Sequence, residues 1–294
     1  MGAHHPEQPA RLSAIEDQLI ASGVADHLQR YEAPLASDEQ LTRVHPREYV
    51  RAIREMAPAE GTVHLDPDTA MNPYTLQAAL RAAGAAVLAT DLVLKGEVSS
   101  AFCPVRPPGH HACRARAMGF CIFNNVALAA RHAIAQHGLE RVAIIDFDVH
   151  HGNGTEDIFS DDEHVLMASI FQHPFYPYSG TEDPAPNMHN VPLRAGSGGK
   201  ELRTAVHDVW LPALEEFRPQ LILFSAGFDA HVEDDMAMLR FTDIDYRWVT
   251  EQLAEVARRH AKGRMVSMLE GGYALGALGR SAVQHVRVLA GLND

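Results

Sequence analysis

The chain is short of cysteine, of basic charge and of long unbroken apolar runs. Its 294 residues hold three cysteines, Cys103, Cys113 and Cys121. Three cannot build a disulfide framework and none are spaced CxxC, so a thiolate-only zinc site is excluded and a reducing compartment is expected. Acidic residues outnumber basic ones by 38 to 25, a net charge of −13. No basic block interrupts that balance, so no nucleic-acid partner and no anionic membrane surface are expected. No apolar run reaches the roughly 18 residues that span a bilayer. The start, MGAHHPEQPARL, has no apolar signal core, and a cytoplasmic location is the expectation. Three catalytic signatures are missing as well. No GxGxxG follows a strand, no GxSxG occurs, and Gly196–Lys200 (GSGGK) has the wrong spacing for a phosphate loop. Dinucleotide binding, elbow-serine hydrolysis and P-loop chemistry are therefore not expected.

What is present is a 46% apolar composition, enough for a large core, and 18 histidines. From about residue 99, apolar stretches of strand length alternate with amphipathic helical ones. Strands are expected at Ser99–Pro104, Arg141–Phe147, His164–Ile170, Gln220–Ser225 and Arg264–Leu269. Helices are expected at Ile122–His137, at Glu201–Phe217, at Asp243–Ala261 behind a Thr242 cap, and from the last strand to the C-terminus. The N-terminal third, including Pro9–Ser22 and Thr75–Gly96, reads as mainly helical, and the proline- and glycine-rich Gln172–Gly199 reads as too irregular for an element interior. Near-continuous apolar strands joined by helices indicate a mostly parallel sheet covered on both faces. With no composition shift along the chain, residues 1–294 read as one α/β domain.

The chemistry gathers where strands end. Arg106-Pro107-Pro108-Gly109-His110-His111, Asp146-Phe147-Asp148-Val149-His150-His151-Gly152, Gly227-Phe228-Asp229-Ala230-His231 and Glu270-Gly271-Gly272-Tyr273 each follow a strand. Ligand sites in open α/β sheets lie beyond the carboxyl ends of strands, so these four exits should converge on one crevice. On an extended segment Asp146, Asp148 and His150 share a side. Two carboxylates and an imidazole there call for a cation, although a helix N-cap cluster would look similar in isolation. Adding Asp229 gives three N/O ligands with a fourth position open, a catalytic pattern that zinc or iron(II) would accept. His110 and His111 become candidates for general base and acid, with Asp146 and Asn153 as orienting partners. Tyr273, after two glycines, is a candidate oxyanion donor.

RPPGHHA at 106–112, GFCIFNNVALAA at 119–130, DFDVHHGNGT at 146–155, SAGFDAH at 225–231 and LEGGY at 269–273 together resemble the histone deacetylase superfamily, closest to its class II-like and bacterial members, and HPEQPARL at 5–12 extends the likeness. The resemblance implies the arginase/deacetylase fold, a three-layer domain around a mainly parallel sheet of about eight strands. It implies zinc held by Asp148, His150 and Asp229, and a potassium ion bound by Asp146, Asp148, His150 and Ser169. His111 would be the general base and acid, His110 an electrostatic partner oriented by Asp146, and Tyr273 the oxyanion donor. Gly119, Phe120, Phe175, Tyr176, Met236 and Gly271 would line a narrow channel for an aliphatic amine. Two departures stand out: Asn153 replaces the aspartate of class I members, and the strand that usually precedes the HPE motif is expected to be missing.

The function so implied is a zinc-dependent deacylase acting on an acylated lysine peptide or a small acylated amine. The nearest alternative is an acetylpolyamine amidohydrolase, which should present an acidic gate. Glu233, Asp234 and Asp235 are near, but Met236 falls at the gate position. A non-catalytic acyl-lysine binder would lack a ligand or the tyrosine, and none is lacking; a ureohydrolase would show a two-metal DAHxD pattern, which is absent. An oligomeric assembly is compatible with all of these.

Overall fold

The computed structural model describes residues 5–292. The N-terminal part is helical with one small ribbon: α1 (Ala10–Ala21), α2 (Asp38–Leu41), α3 (Arg47–Met56), β1 (Val63–His64), β2 (Ala70–Met71) and α4 (Thr75–Leu94). Strands and helices then alternate through β3 (Ser100–Cys103), α5 (Asn125–His137), β4 (Val142–Asp146), α6 (Asn153–Phe159), β5 (Val165–Gln172) and β6 (Met188–Leu193). After α7 (Gly199–Ala205), a wider helical turn at Val206–Trp210 and α8 (Leu211–Phe217) come β7 (Leu221–Ala226), α9 (Asp243–His260), β8 (Met265–Leu269) and α10 (Leu275–Leu289).

Six strands make one all-parallel sheet in the order β3-β8-β7-β4-β5-β6. The apolar runs are continuous because both faces are buried. Along β4, Val142 and Ile144 pack with α4 and α5 residues, while Ala143 and Ile145 pack with residues of α1, α9 and α10. The result is a single three-layer α/β domain. The expected strands and helices all form, with ends shifted by a few residues, as end-fraying makes usual.

The eight strands divide between the six-stranded main sheet and a separate antiparallel ribbon of β1 and β2. One expectation needs correcting. Strand β6 lies inside Gln172–Gly199, which read as loop. It is an edge strand pairing only with β5, so it is half exposed and tolerates Pro192, whose missing N–H would break a central ladder. Helix α4 is long and apolar enough, by length and composition, to cross a membrane, yet Arg81 and Asp91 divide it into shorter apolar runs, and in this fold most of it is buried against α5 and the sheet. The outer edge of β3 borders a groove of about 580 Å³, and the described residues supply no strand to it.

One buried histidine reports on the core. His285 is surrounded by Phe102, Phe147, Phe224 and Phe228, and its Nδ1 and Nε2 lie 2.7 Å and 2.9 Å from the hydroxyls of Thr250 and Ser267. Burial pushes it down to about 3. The folded chain therefore refuses a proton that the unfolded chain accepts below about pH 6.5, and stability is lost as pH falls through that window. His285→Leu removes this linkage. Its stability difference from wild type, measured by urea unfolding, should narrow by about 2 kcal/mol between about pH 7 and pH 5. A difference independent of pH would contradict the neutral assignment.

Candidate active site

The last turns of the central strands change from apolar to polar in register. Asp146 at the end of β4 sits opposite Ser169 on β5 and Ser225 on β7, and Ser169 sits opposite Asn190 on β6. Past this row the alternation of β4 persists although the strand has ended. Phe147 and Val149 turn into the core, while Asp146, Asp148 and His150 face the crevice. Backbone donors pin the carboxylates there. The Asp148 N–H donates to Asp146 Oδ1 at 3.1 Å, the His150 N–H to Asp148 Oδ1 at 2.8 Å, and the Val149 N–H to Asp229 Oδ1 at 3.0 Å. The Gly271 N–H donates to Asp148 Oδ2 at 2.8 Å. A Cβ at Gly227 would run into the Asp148 carboxylate, and one at Gly271 into those of Asp148 and Asp229, so side chains are excluded from the floor.

Asp148, His150 and Asp229 are all buried, and their potential ligand atoms lie within 4.8 Å of one another. His150 Nδ1 is 3.0 Å from Asp148 Oδ1 and 3.3 Å from Asp229 Oδ2, and among the described residues that ion-pair contact is the only one given to Asp229 Oδ2, with no well-aligned hydrogen bond. A buried carboxylate oxygen left unpaired costs on the order of 1–3 kcal/mol or more, unless a cation meets it. The local field favours one. Burial opposes charge on His150, yet its contacts with Asp148 and Asp229 outweigh that and raise it to about 10. Burial and the neighbouring Asp148 lift Asp229 to about 6. One imidazole and two carboxylates around a positive centre fit a divalent N/O-binding ion such as zinc or iron(II).

A second grouping, Asp91 with His132 and His137 between α4 and α5, also has its potential ligand atoms within 4.8 Å of one another. Its hydrogen bonding argues otherwise. Arg43, which can only donate, lies 2.6 Å from His132 Nδ1, so the proton sits on Nε2 and is given to Asp91 Oδ1 at 2.8 Å. His137 Nε2 meets the same oxygen at 2.7 Å, and although burial would raise Asp91, the two imidazoles lower it to about 2. This is an interhelical clamp.

The paired histidines diverge. His110 Nδ1 bonds Asp146 Oδ2 at 2.9 Å and His111 Nδ1 bonds Asn153 Oδ1 at 2.8 Å, with ring centroids 4.1 Å apart. Burial disfavours charge on both. For His110 the carboxylates of Asp146, Asp148 and Glu270 overcome it, and its pKa is raised well above the usual value. For His111, burial is reinforced by His110 and His150, and its pKa falls well below the usual value. Glu270 anchors the loop that carries them. Its Oε2 accepts the N–H groups of Gly109 at 2.6 Å and His110 at 3.1 Å, and its Oε1 accepts the Ser225 hydroxyl at 3.1 Å. Burial pushes Glu270 up to about 7. Sequence reasoning gave this residue no role; its signal was an acid at the end of an apolar strand.

Tyr273 lines the same pocket. The Arg11 guanidinium lies 4.9 Å from its ring centroid, donates to Gly272 O at 2.6 Å and pairs with Glu7, so the HPEQPARL segment braces the tyrosine loop. Burial, with Asp229 and Asp148 adding to it, raises the phenol well above its ordinary value and keeps it a donor. All the expected channel residues line a cavity of about 170 Å³: Gly119, Phe120, Phe175, Tyr176, Met236 and Gly271. Phe175 stacks over His150 at 5.7 Å, and Tyr176 meets His111 edge-on at 5.3 Å. Phe120, in left-handed backbone at φ 68°, turns its ring toward Tyr273 and His5. Asp68, which the sequence did not flag, also lines the cavity; it comes from the β1–β2 ribbon and accepts the Gly119 N–H at 3.2 Å. Two of the acids near the gate are otherwise engaged. Asp234 is buried and accepts the N–H groups of Tyr273, Ala274 and Met236, and Glu233 pairs with Arg280. Ser169, expected near potassium, donates its hydroxyl to Asn190 Oδ1 at 2.9 Å beside Asp146.

The histone deacetylase domain pattern matches residues 5–289. The histone deacetylase-like amidohydrolase of Pseudomonas aeruginosa is 42% identical over 278 residues, covering 92% of this chain and 73% of that protein. Polyamine deacetylase HDAC10 of Homo sapiens is 37% identical, over 97% of this chain and 44% of its own length. The crystal structure of the HDA15 HD domain superposes with a TM-score of 0.92 at 36% identity, covering 99% of this chain and 85% of that one. With this match along its length, the chain belongs to the histone deacetylase family and is a hydrolytic deacetylase.

Proposed function

We propose that the chain is a zinc-dependent deacylase that hydrolyses the amide of an acylated lysine, acetyl-lysine or a related acyl chain. The observation that carries this reading is that His111 and Tyr273 line one narrow pocket with His150, which groups with Asp148 and Asp229 as potential metal ligands, while burial disfavours the charged forms of the imidazole and the phenol. Asp148, His150 and Asp229 would hold zinc, or iron(II) in its place, which when bound supplies Lewis acidity to the amide carbonyl and acidity to the attacking water. We assign a structural potassium ion to Asp146, Asp148, His150 and Ser169.

Neutral His111, with Nδ1 committed to Asn153, has its other nitrogen for the pocket and takes the proton as water attacks the carbonyl carbon. The Tyr273 hydroxyl donates to the developing oxyanion. His111 then returns the proton to the leaving nitrogen, the C–N bond breaks, and an amine and a carboxylate depart. His110, paired with Asp146, keeps its positive charge beside the reacting carbonyl throughout. The aromatic walls of Phe120, Phe175 and Tyr176 suit the aliphatic part of a lysine chain.

The acetylpolyamine reading keeps one observation in its favour: Asp68 is the one acidic residue among those lining the cavity. Met236 at the gate and the engaged Asp234 favour the lysine chain. In a direct comparison, kcat/KM for an acetyl-lysine peptide should exceed that for acetylputrescine by about tenfold or more. The reverse order would move the chain to the polyamine class. Tyr273→Phe should leave folding intact and lower kcat by a factor on the order of 10²–10³, the effect of one lost oxyanion donor. Unchanged turnover in the folded variant would remove Tyr273 from the reaction.

A further inference from the structure

The base His111 is oriented by an amide, and an amide has two different ends. An aspartate at residue 153 would present an oxygen whichever way it turned. Asn153 presents an oxygen to His111 only in one of two orientations that fill the same space. With Oδ1 toward His111 at 2.8 Å, the imidazole proton is on Nδ1 and the lone pair on Nε2 serves the pocket. Turned over, the amide would donate to Nδ1, the proton would move to Nε2, and the ring would be in the wrong tautomer to accept one. Something must choose between these states.

Two sulfur atoms face the other end of the amide. Asn153 Nδ2 lies 3.4 Å from Met118 Sδ and 3.5 Å from Cys113 Sγ. A thioether carries no proton and can only accept, so Met118 favours the NH₂ end and repels the carbonyl end. The Cys113 thiol can act either way, but its proton points to the backbone carbonyl of His111 at 3.7 Å, which leaves its lone pairs for Asn153 and for Arg116 at 3.8 Å. Both sulfurs are held by one loop. Cys113 N–H bonds Arg116 O at 2.9 Å, and Met118 exchanges hydrogen bonds with Cys121 at 3.2 Å and 2.9 Å. The same loop brings Gly119 against the His111 ring, where a Cβ would collide with it.

Resting on the deacylase reading, we propose that Cys113 and Met118 are positioning residues that select the amide orientation of Asn153 and, through it, the base tautomer of His111. Neither is among the residues that line the cavity. They act as a pair of acceptors with no competing demand for the carbonyl end.

The test compares zinc-loaded wild type with Met118→Leu, Cys113→Ala and the double variant. Each is read by steady-state kinetics on an acetyl-lysine peptide and by ¹⁵N-histidine NMR, with the His111 signals assigned by their loss in a His111 variant. Wild type should show His111 protonated on Nδ1. The double variant should gain the Nε2-protonated form and lose kcat by about tenfold with KM within about twofold. Adding Asn153→Asp to the double variant should restore kcat, because a carboxylate needs no orienting; a loop merely loosened by the substitutions would not be rescued. A folded double variant that keeps both the Nδ1–H tautomer and wild-type kcat overturns the proposal. Should the double variant not fold, Met118→Leu alone, with the same two readouts, decides it by the same outcomes. Absence of turnover in wild type would count against the deacylase reading instead, since the tautomer shift is read without it.

Discussion

Four carboxylates, those of Asp146, Asp148, Asp229 and Glu270, are buried at the carboxyl end of one parallel sheet, and their compensation organises the rest of the site. In water each would be solvated; here each must find donors or positive charge within the protein. Asp146 takes the Asp148 N–H and His110, Asp148 takes the N–H groups of His150 and Gly271, and Glu270 takes those of Gly109 and His110. The glycines at 227 and 271 are demanded by the same packing, because a side chain at either would run into the carboxylates themselves. Asp229 is left with one oxygen satisfied by the Val149 N–H and one facing His150. The residual demand for positive charge is therefore focused at a single point.

That focus also divides labour between two adjacent histidines. Near-identical imidazoles, 4.1 Å apart, are driven in opposite directions by which acids they meet. His110 is surrounded by carboxylates, which favour its charged form; His111 meets a neutral amide and two other imidazoles, which favour its neutral form. Environments that push like groups apart are how one protein fold supplies acid and base together. The amide at 153 orients the His111 ring without adding a charge of its own to these surroundings.

Much of this was legible in the sequence because the strands are buried on both faces and so announce themselves as apolar runs, with each functional motif at a run's end. Asp148, His150 and Asp229 could be paired across more than 70 residues of chain on that argument, and His110 with Asp146 on the same one. What stayed hidden has physical reasons too. Strand β6 sits on an edge, where half exposure and a tolerated proline erase the apolar signature. Asp68 reaches the pocket from a ribbon of two-residue strands, too short to leave a period. Glu270 and Asp234 act on backbone N–H groups, and a backbone partner leaves no trace in residue identity. Arg11 belongs to a recognisable N-terminal motif, but its hydrogen bond to Gly272 joins residues 261 apart, and its guanidinium lies over the next residue, Tyr273.

The central claim is that Asp148, His150 and Asp229 form the divalent-ion centre among the described residues. It is tested most directly by titrating metal-free protein with Co²⁺ and following the visible ligand-field absorption. The account predicts saturation at one ion per chain, loss of the signal in Asp229→Ala, and retention in His137→Ala, since the α4–α5 clamp is closed to metal by Arg43. A signal that survives Asp229→Ala and disappears in His137→Ala would contradict it.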